Sequence, residues 1–348
     1  ESFNAVEAWL GSLPGHLYAN VRQPIIHTLN LAHVMPVSSV WAGPHWNEHL
    51  DQPPLLHAAT RGSTPFRLNL HVGDVGHTTI VGPTGAGKSV LLAMLALQFR
   101  RYDNSQVFIF DKGRSTRATA LMMGGTALDL SIGGGIAFQP LAEIGEPTAR
   151  AFGRDWILSL LSHEGVATDP AVKDEAWAAL TNLASAPTPE RTLTGLSLLL
   201  QSNKLRQALQ PYTLEGPWGT LLDGKEDRFS FASVMHFELE GLMETKGLVL
   251  PVLTFLFHRL ESRFDGRPTL LILDEAWLFL DSPLFASRIR DWLKTLRKKN
   301  VAVVFATQSL SDIASSTIAP TIIESCPTRI FLPNDRAIEA QIRDIYER

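Results

Sequence analysis

A single cysteine, Cys326, stands in 348 residues. One thiol closes no internal disulfide and builds no thiolate metal cage, which excludes a disulfide-stapled secreted scaffold and a cysteine zinc centre and points to a reducing compartment. Charge of one sign is also lacking: 31 Lys and Arg face 35 Asp and Glu, a net −4, so bulk electrostatics give no pull toward nucleic acid or an anionic membrane. No apolar run reaches the roughly 18 to 20 residues of a membrane-spanning helix. The most apolar stretch, Gly247 to Phe257, is shorter and carries Pro251. The opening Glu1-Ser2-Phe3-Asn4 has neither an initiator Met nor a basic-then-apolar leader, so no signal peptide is expected, and a piece of a longer polypeptide is. The motif H-E-x-x-H is absent, and His27, His33, His45, His49 and His57 read as packing or surface residues. G-x-S-x-G is absent, and Cys326 before Pro327 has no activating helix start, which leaves covalent catalysis without a nucleophile.

What is present is a globular composition, 45% hydrophobic and 19% charged, at a length that suggests two or three folded units. Residues 1–65 are rich in Pro, His, Trp and Asn with little periodicity, and read as a lead-in segment, the tail of a missing N-terminal domain. From residue 66 onward, short β-branched and aromatic runs alternate with helical stretches, the pattern of a parallel sheet covered by helices. The predicted strands are His77 to Val81, Val107 to Phe110, Val234 to Phe237, Leu270 to Leu273, Val301 to Ala306 and Arg329 to Leu332, most of them apolar throughout, as strands buried on both faces are. Over 141–222 the strand signal gives way to helix starts such as Asp169-Pro170 and Thr188-Pro189-Glu190, predicting an all-helical insertion in an α/β core made of 66–140 and 223–348.

Gly82-Pro83-Thr84-Gly85-Ala86-Gly87-Lys88-Ser89 fits G-x-x-x-x-G-K-[ST] at every fixed position, follows an apolar strand and opens the helical run from Val90 to Phe99. Gly85 and Gly87 can take backbone conformations closed to larger residues, turning amide N–H groups inward, and the helix start adds partial positive charge. This chemistry suits a triphosphate: residues 82–89 and Val90 cradle it, Lys88 reaches the outer phosphates, and the Ser89 hydroxyl ligates magnesium. The strand Thr269 to Leu273 ends in Asp274 and Glu275. Asp274 is expected in the magnesium shell, and Glu275 is expected to polarise the attacking water as general base. The strand Val301 to Ala306 ends in Thr307-Gln308-Ser309, which makes Gln308 the candidate sensor, placed to sense the γ-phosphate or to orient water.

Two further features leave alternatives open. Asp111-Lys112-Gly113-Arg114-Ser115 ends the second core strand and reads equally as a turn beside the nucleotide, at a subunit boundary, or paired with itself. A helix beginning at Ser282-Pro283 sets Phe285, Ile289, Trp292, Leu293 and Leu296 on one face and Arg288, Arg290, Lys294, Arg297, Lys298 and Lys299 on the other. The basic face reads first as solvated and second as a patch for nucleic acid or anionic lipid; no aromatics interleave with it as a stacking platform requires.

Taken together, the loop at 82–89, Phe110 to Ser115, Leu273-Asp274-Glu275-Ala276-Trp277, Leu296 to Asn300 and Ala306 to Ser309 resemble the VirB/TrbE/CagE ATPases of bacterial type IV secretion and conjugation, TrbE-like members above all. His71 to His77, Gly216-Pro217-Trp218-Gly219 and Arg329 to Asn334 share in the likeness, which spans about residues 40–348. The resemblance implies a RecA-like P-loop NTPase core of the FtsK/HerA group with a helical subdomain, the C-terminal ATPase portion of its protein. It implies ATP and Mg2+ as ligands and a cytoplasmic position, peripheral at the inner membrane. It also implies partners among secretion subunits, inner-membrane channel proteins and companion ATPases, and a homo-oligomer, hexameric when assembled. By motif, Lys88 and Ser89 form the P-loop pair, Asp274 and Glu275 the magnesium and water-activating pair, and Gln308 the sensor. An arginine finger from a neighbouring subunit is implied too, with Arg297, Arg329 and Arg336 as candidates. The leading expectation is a Mg-dependent ATPase that energises assembly of, or transfer through, the apparatus. The alternatives are a coupling-protein-type DNA translocase and a nucleotide-gated scaffold with little turnover.

Overall fold

The computed structural model describes residues 5–16, 27–35, 40–227, 231–275, 283–308, 316 and 318–334. The chain divides into two compact units, one of Glu1–Ala42 with Ala59–Phe66 and the other of Gly43–Ala58 with Arg67–Arg348. The first holds two seven-residue helices, α1 (Ala5–Gly11) and α2 (Thr28–Val34), neither of which buries a residue. Two three-residue strands, β1 (Leu56–Ala58) and β2 (Phe66–Leu68), precede the main sheet in the sequence.

The larger unit is built on seven strands: β3 (Thr78–Val81), β4 (Gln106–Asp111), β5 (Thr126–Asp129), β6 (Val234–Glu238), β7 (Thr269–Leu273), β8 (Val301–Thr307) and β9 (Thr328–Phe331). Their order is β5-β6-β4-β7-β8-β3-β9, and every pairing is parallel. Side chains alternate across a strand, so an unbroken apolar run supplies two cores at once. Phe108 and Phe110 of β4, Leu271 and Leu273 of β7, and Val303 and Phe305 of β8 enter one apolar cluster. Their neighbours Val107, Ile109, Leu270, Ile272, Val304 and Ala306 enter the other.

The second cluster is closed by α3 (Lys88–Phe99), through Leu92, Leu95, Ala96 and Phe99, and by Ala120 of α4 (Arg117–Met122). The first is larger. It takes in α5 (Pro147–His163), α6 (Pro170–Leu183), α7 (Leu193–Leu199), α8 (Asn203–Leu209) and α9 (Gly219–Leu222), then α10 (Glu240–Glu244), α11 (Lys246–Glu261), α12 (Pro283–Thr295) and α13 (Ala319–Ser325). Residues 147–222 contain only helices and turns, and their apolar faces pack in one continuous core with the sheet. The apolar run around Pro251 is α11, buried nearly all round, as a helix without a polar face must be. Among the described residues no helix is long and apolar enough to cross a membrane.

The α/β fold expected from the alternating pattern is the one observed, with each predicted strand within about a residue of its place. β5 gives no such signal. It is an edge strand of four residues, three of them only half buried, behind the pair Gly124-Gly125, so little apolar surface marks it.

Parallel strands bring all their carboxyl ends to one edge, which is where loops can gather chemistry. Register places the loops there. Val81 pairs with Thr307, and Leu273 pairs with Phe305, so counting on two residues sets Glu275 level with Thr307 and Val81. The loop after β3, the acids after β7 and Gln308 after β8 therefore share one stretch of edge.

Candidate functional site

The loop from Gly82 to Gly87 links β3 directly to α3. Gly85 and Gly87 hold φ of 85° and 91°, the left-handed region that a side chain resists, and a Cβ at either would meet nothing within 4 Å. They are glycines because of backbone conformation, and the space in front of them is open. Gly82 differs: it is buried against Leu332, and its N–H donates to Thr307 O at 3.1 Å, tying the loop to β8.

Lys88 is the first residue of α3 and is 8% exposed. Its Nζ lies 2.9 Å from Asp274 Oδ1 and 2.7 Å from Glu275 Oε1. Asp274 is fixed from both sides, its N–H donating to Phe110 O at 2.9 Å and its Oδ1 accepting from Glu275 N at 2.9 Å. Glu275 takes a φ of 53°, an uncommon conformation for a residue with a side chain. Gln308 Nε2 donates to Glu275 Oε1 at 2.7 Å, and Thr84 Oγ1 donates to Gln308 Oε1 at 2.8 Å. Five residues from three loops thus form one chain of contacts, Thr84 to Gln308 to Glu275 to Lys88 to Asp274.

Burial and neighbouring charge pull the pair Lys88 and Asp274 in different ways. Burial works against the Lys88 ammonium, but the charge of Asp274 and hydrogen bonds to both acids outweigh it and hold its pKa above the usual value. For Asp274, burial is the largest effect and raises its pKa; Lys88 opposes, while Asp111 and Glu275 add to the rise. Asp274 thus sits where its negative charge is disfavoured. This is the electrostatic signature of a place for a further positive charge, and a lysine released toward phosphate would leave that need greater still.

These features fit the ligands expected from the sequence. The turn supplies open backbone at positive φ, α3 supplies a helix N-terminus with a buried ammonium, and the acids supply hard oxygen donors suited to magnesium. Ser89 is half buried beside Lys88 on the first turn of α3, whereas Val90 is 66% exposed. Ala276, Trp277, Ser282, Ser309 and Arg336 lie outside the described residues.

Sequence reasoning left the Asp111 turn open and passed over its partners on the next strand, His236 and Glu238, which make a second buried acidic cluster on the same edge. Asp111 pairs with Glu238 in the sheet register, and Phe110 pairs with Leu273, so Asp111 stands one strand away and level with Asp274. The Asp111-to-Ser115 turn is paired partly with itself, through Ser115 and Asp111, and partly with its neighbours, Gly113 N donating to Glu238 and Arg114 meeting Asp129. Asp111 accepts from Thr116 N and Oγ1, both at 2.7 Å, and from Ser115 Oγ at 3.0 Å. His236 Nε2 meets Asp111 Oδ2 at 3.1 Å, both side chains fully buried. A histidine in the middle of the apolar run Val234 to Phe237 was the available signal, because a polar side chain in a doubly buried strand must find a partner.

The other sequence features fall away from this edge. Arg297 precedes β8 at the opposite end of the sheet and pairs with Asp74 at 3.3 Å, and Arg329 Nη2 donates to Ile323 O at 2.9 Å. Arg288 pairs with Glu261 at 3.5 Å and Arg290 is half buried, while Lys294, Arg297, Lys298 and Lys299 are exposed. Gly219 of Gly216-Pro217-Trp218-Gly219 is required by a close approach, since a Cβ there would lie 2.0 Å from Thr213 O. His77 is buried and His71 half buried, and both are held neutral, with desolvation the main cause of pKa values of about 3 for His71 and about 4 for His77. Burial likewise raises the Cys326 thiol to about 11.

The family model of the TraG P-loop domain matches residues 200–347. The chain is 46% identical over 362 residues to the conjugal transfer protein TrbE of Rhizobium radiobacter, covering 100% of this chain and 44% of that protein. It is 31% identical over 343 residues to the type IV secretion system protein virB4 of Bartonella quintana, covering 97% and 43%. The chain therefore spans about half the length of the curated relatives it matches. Among solved structures, VirB4 of Thermoanaerobacter pseudethanolicus matches with a TM-score of 0.63 at 20% identity, over 83% of this chain and 86% of that one, a likeness of fold.

Proposed function

This chain belongs to the TrbE/VirB4 family of conjugal-transfer and type IV secretion proteins, and from that premise we propose that it is a magnesium-dependent ATPase motor. Its turnover energises assembly of the secretion or conjugation apparatus, or substrate transfer through it, in an oligomer docked on other secretion subunits at the inner membrane.

The observation that carries this reading is Lys88, held within 2.9 Å of both Asp274 and Glu275 at the mouth of a loop built for phosphate. Lys88 exchanges the two acids for the outer phosphates of ATP, which the amides of 82–89 and the start of α3 orient. Ser89 and Asp274 would hold magnesium, which supplies charge stabilisation at the phosphates when bound. Glu275, freed of the ammonium, takes a proton from the attacking water, and the Gln308 amide orients that water. The product is ADP and phosphate. Candidate arginine fingers are Arg297, Arg329 and Arg336, supplied from a neighbouring copy.

The test is phosphate release and nucleotide binding for wild type and Glu275→Gln. Removing a general base costs about 10^2- to 10^4-fold in turnover, and the variant should still bind ATP because the loop and Lys88 are intact. A protein that binds ATP but gives the same slow release with either residue is a nucleotide-gated scaffold.

A further inference from the structure

We propose that Thr84 is a positioning residue for catalysis, fixing the Gln308 amide so that it aims and restrains the Glu275 carboxylate. The proposal rests on the ATPase reading above and goes beyond it, because Thr84 otherwise counts only as one link of a phosphate-binding loop.

The chemistry of the three groups dictates the orientation. An ionised carboxylate can only accept, so the group of Gln308 that faces Glu275 must be its NH2, and the observed 2.7 Å contact is Nε2 to Oε1. The amide oxygen then points the other way and needs a donor. Thr84 Oγ1 supplies it at 2.8 Å across a sequence separation of 224 residues. Without the hydroxyl the amide is free to turn, and a turned amide would set oxygen against the carboxylate.

Glu275 feels both ends of the site through one atom. Its Oε1 accepts from Gln308 and from Lys88, so when Lys88 leaves for phosphate the Gln308 bond stays on the carboxylate. Thr84 is part of the loop that grips phosphate, and Gly82 of the same loop is bonded to Thr307, the residue before Gln308. The filling of the loop and the aim of the base are thereby joined by contacts running from one strand end to the next. A general base gains its advantage from correct placement, and a displacement of about an ångström can cost up to a hundredfold.

The test compares wild type, Thr84→Val, which keeps shape and loses the hydroxyl, and Thr84→Ser, which restores it. In the nucleotide-free protein, the Gln308 side-chain amide, identified by its absence in Gln308→Leu, should give a dispersed NMR signal in wild type and Thr84→Ser. It should collapse toward the free-amide position in Thr84→Val. In turnover, Thr84→Val should lose about tenfold in kcat with KM nearly unchanged, and Thr84→Ser should recover most of it. An unmoved Gln308 signal in Thr84→Val, a rise in KM alone, or a defect that Ser fails to rescue would each overturn the proposal. Failure of the underlying reading would look different: wild type itself would show no nucleotide-dependent turnover while the Gln308 signal stayed intact, and the role of Thr84 would fall with it.

Discussion

Two buried carboxylates stand level with each other on adjacent strands of the same sheet edge, and they are held in opposite ways. Asp111 is fixed by its own turn, through a backbone amide and two short hydroxyl groups, and by His236 from the next strand. The donors from Ser115 and Thr116 cannot leave without unfolding the turn. Asp274 accepts one fixed backbone amide, that of Glu275, but its charged partner is Lys88, a long flexible cation whose other natural partner is phosphate. The same residue type at the same height is thus structural on β4 and exchangeable on β7, and the difference lies in the donors alone.

Their acidities differ in the same sense. Burial works against both carboxylates, but bonds from His236 and Thr116 overcome it and hold Asp111 below its ordinary pKa. At Asp274 burial prevails and the pKa is raised. A lowered folded value means that Asp111 contributes stability above its unfolded pKa and loses it as the pH falls through the folded value. A raised value means that the contribution of Asp274 is present at low pH and is lost as the pH rises through that value. At neutral pH, Asp111 stabilises the fold while Asp274 costs it something, as acids kept for function commonly do.

The contrast can be broken by substitution. The largest effect belongs to Asp111→Asn, which turns an acceptor into a donor facing the Thr116 N–H and should cost about 2–3 kcal/mol in a denaturant melt at neutral pH. Asp274→Asn should act in the opposite direction, raising the stability of the nucleotide-free protein by about 1 kcal/mol while abolishing magnesium-dependent turnover. Equal destabilisation by the two would erase the distinction drawn here. The smallest effect is in the pH dependence: the gain from Asp274→Asn should fade as the pH is lowered, because wild-type Asp274 then takes up its own proton, and thermal melts at neutral and acidic pH would show it.

Much of this molecule is legible from sequence, for identifiable reasons. Strands buried on both faces write continuous apolar runs, so six of the seven were within reach, and β5, short and at the edge, was not. The phosphate loop is legible because its glycines, lysine and serine are contiguous. Asp274 and Gln308 are legible because each ends an apolar strand. What joins them is not. The contact of Thr84 with Gln308 and that of Asp111 with His236 bridge 224 and 125 residues, and only the strand order brings those positions together. Local pattern locates the pieces of the site, and topology decides which of them touch.

The central claim is that Lys88 leaves its two acids to grip a nucleotide, and equilibrium titration with a non-hydrolysable ATP analogue plus magnesium tests it most directly. Wild type should bind saturably, and Lys88→Ala should bind at least about 30-fold more weakly, the loss expected for a charge-assisted contact worth roughly 2 kcal/mol. Equal affinity in the two proteins would mean that the lysine serves only to neutralise Asp274 and Glu275, and the account of the site would be wrong.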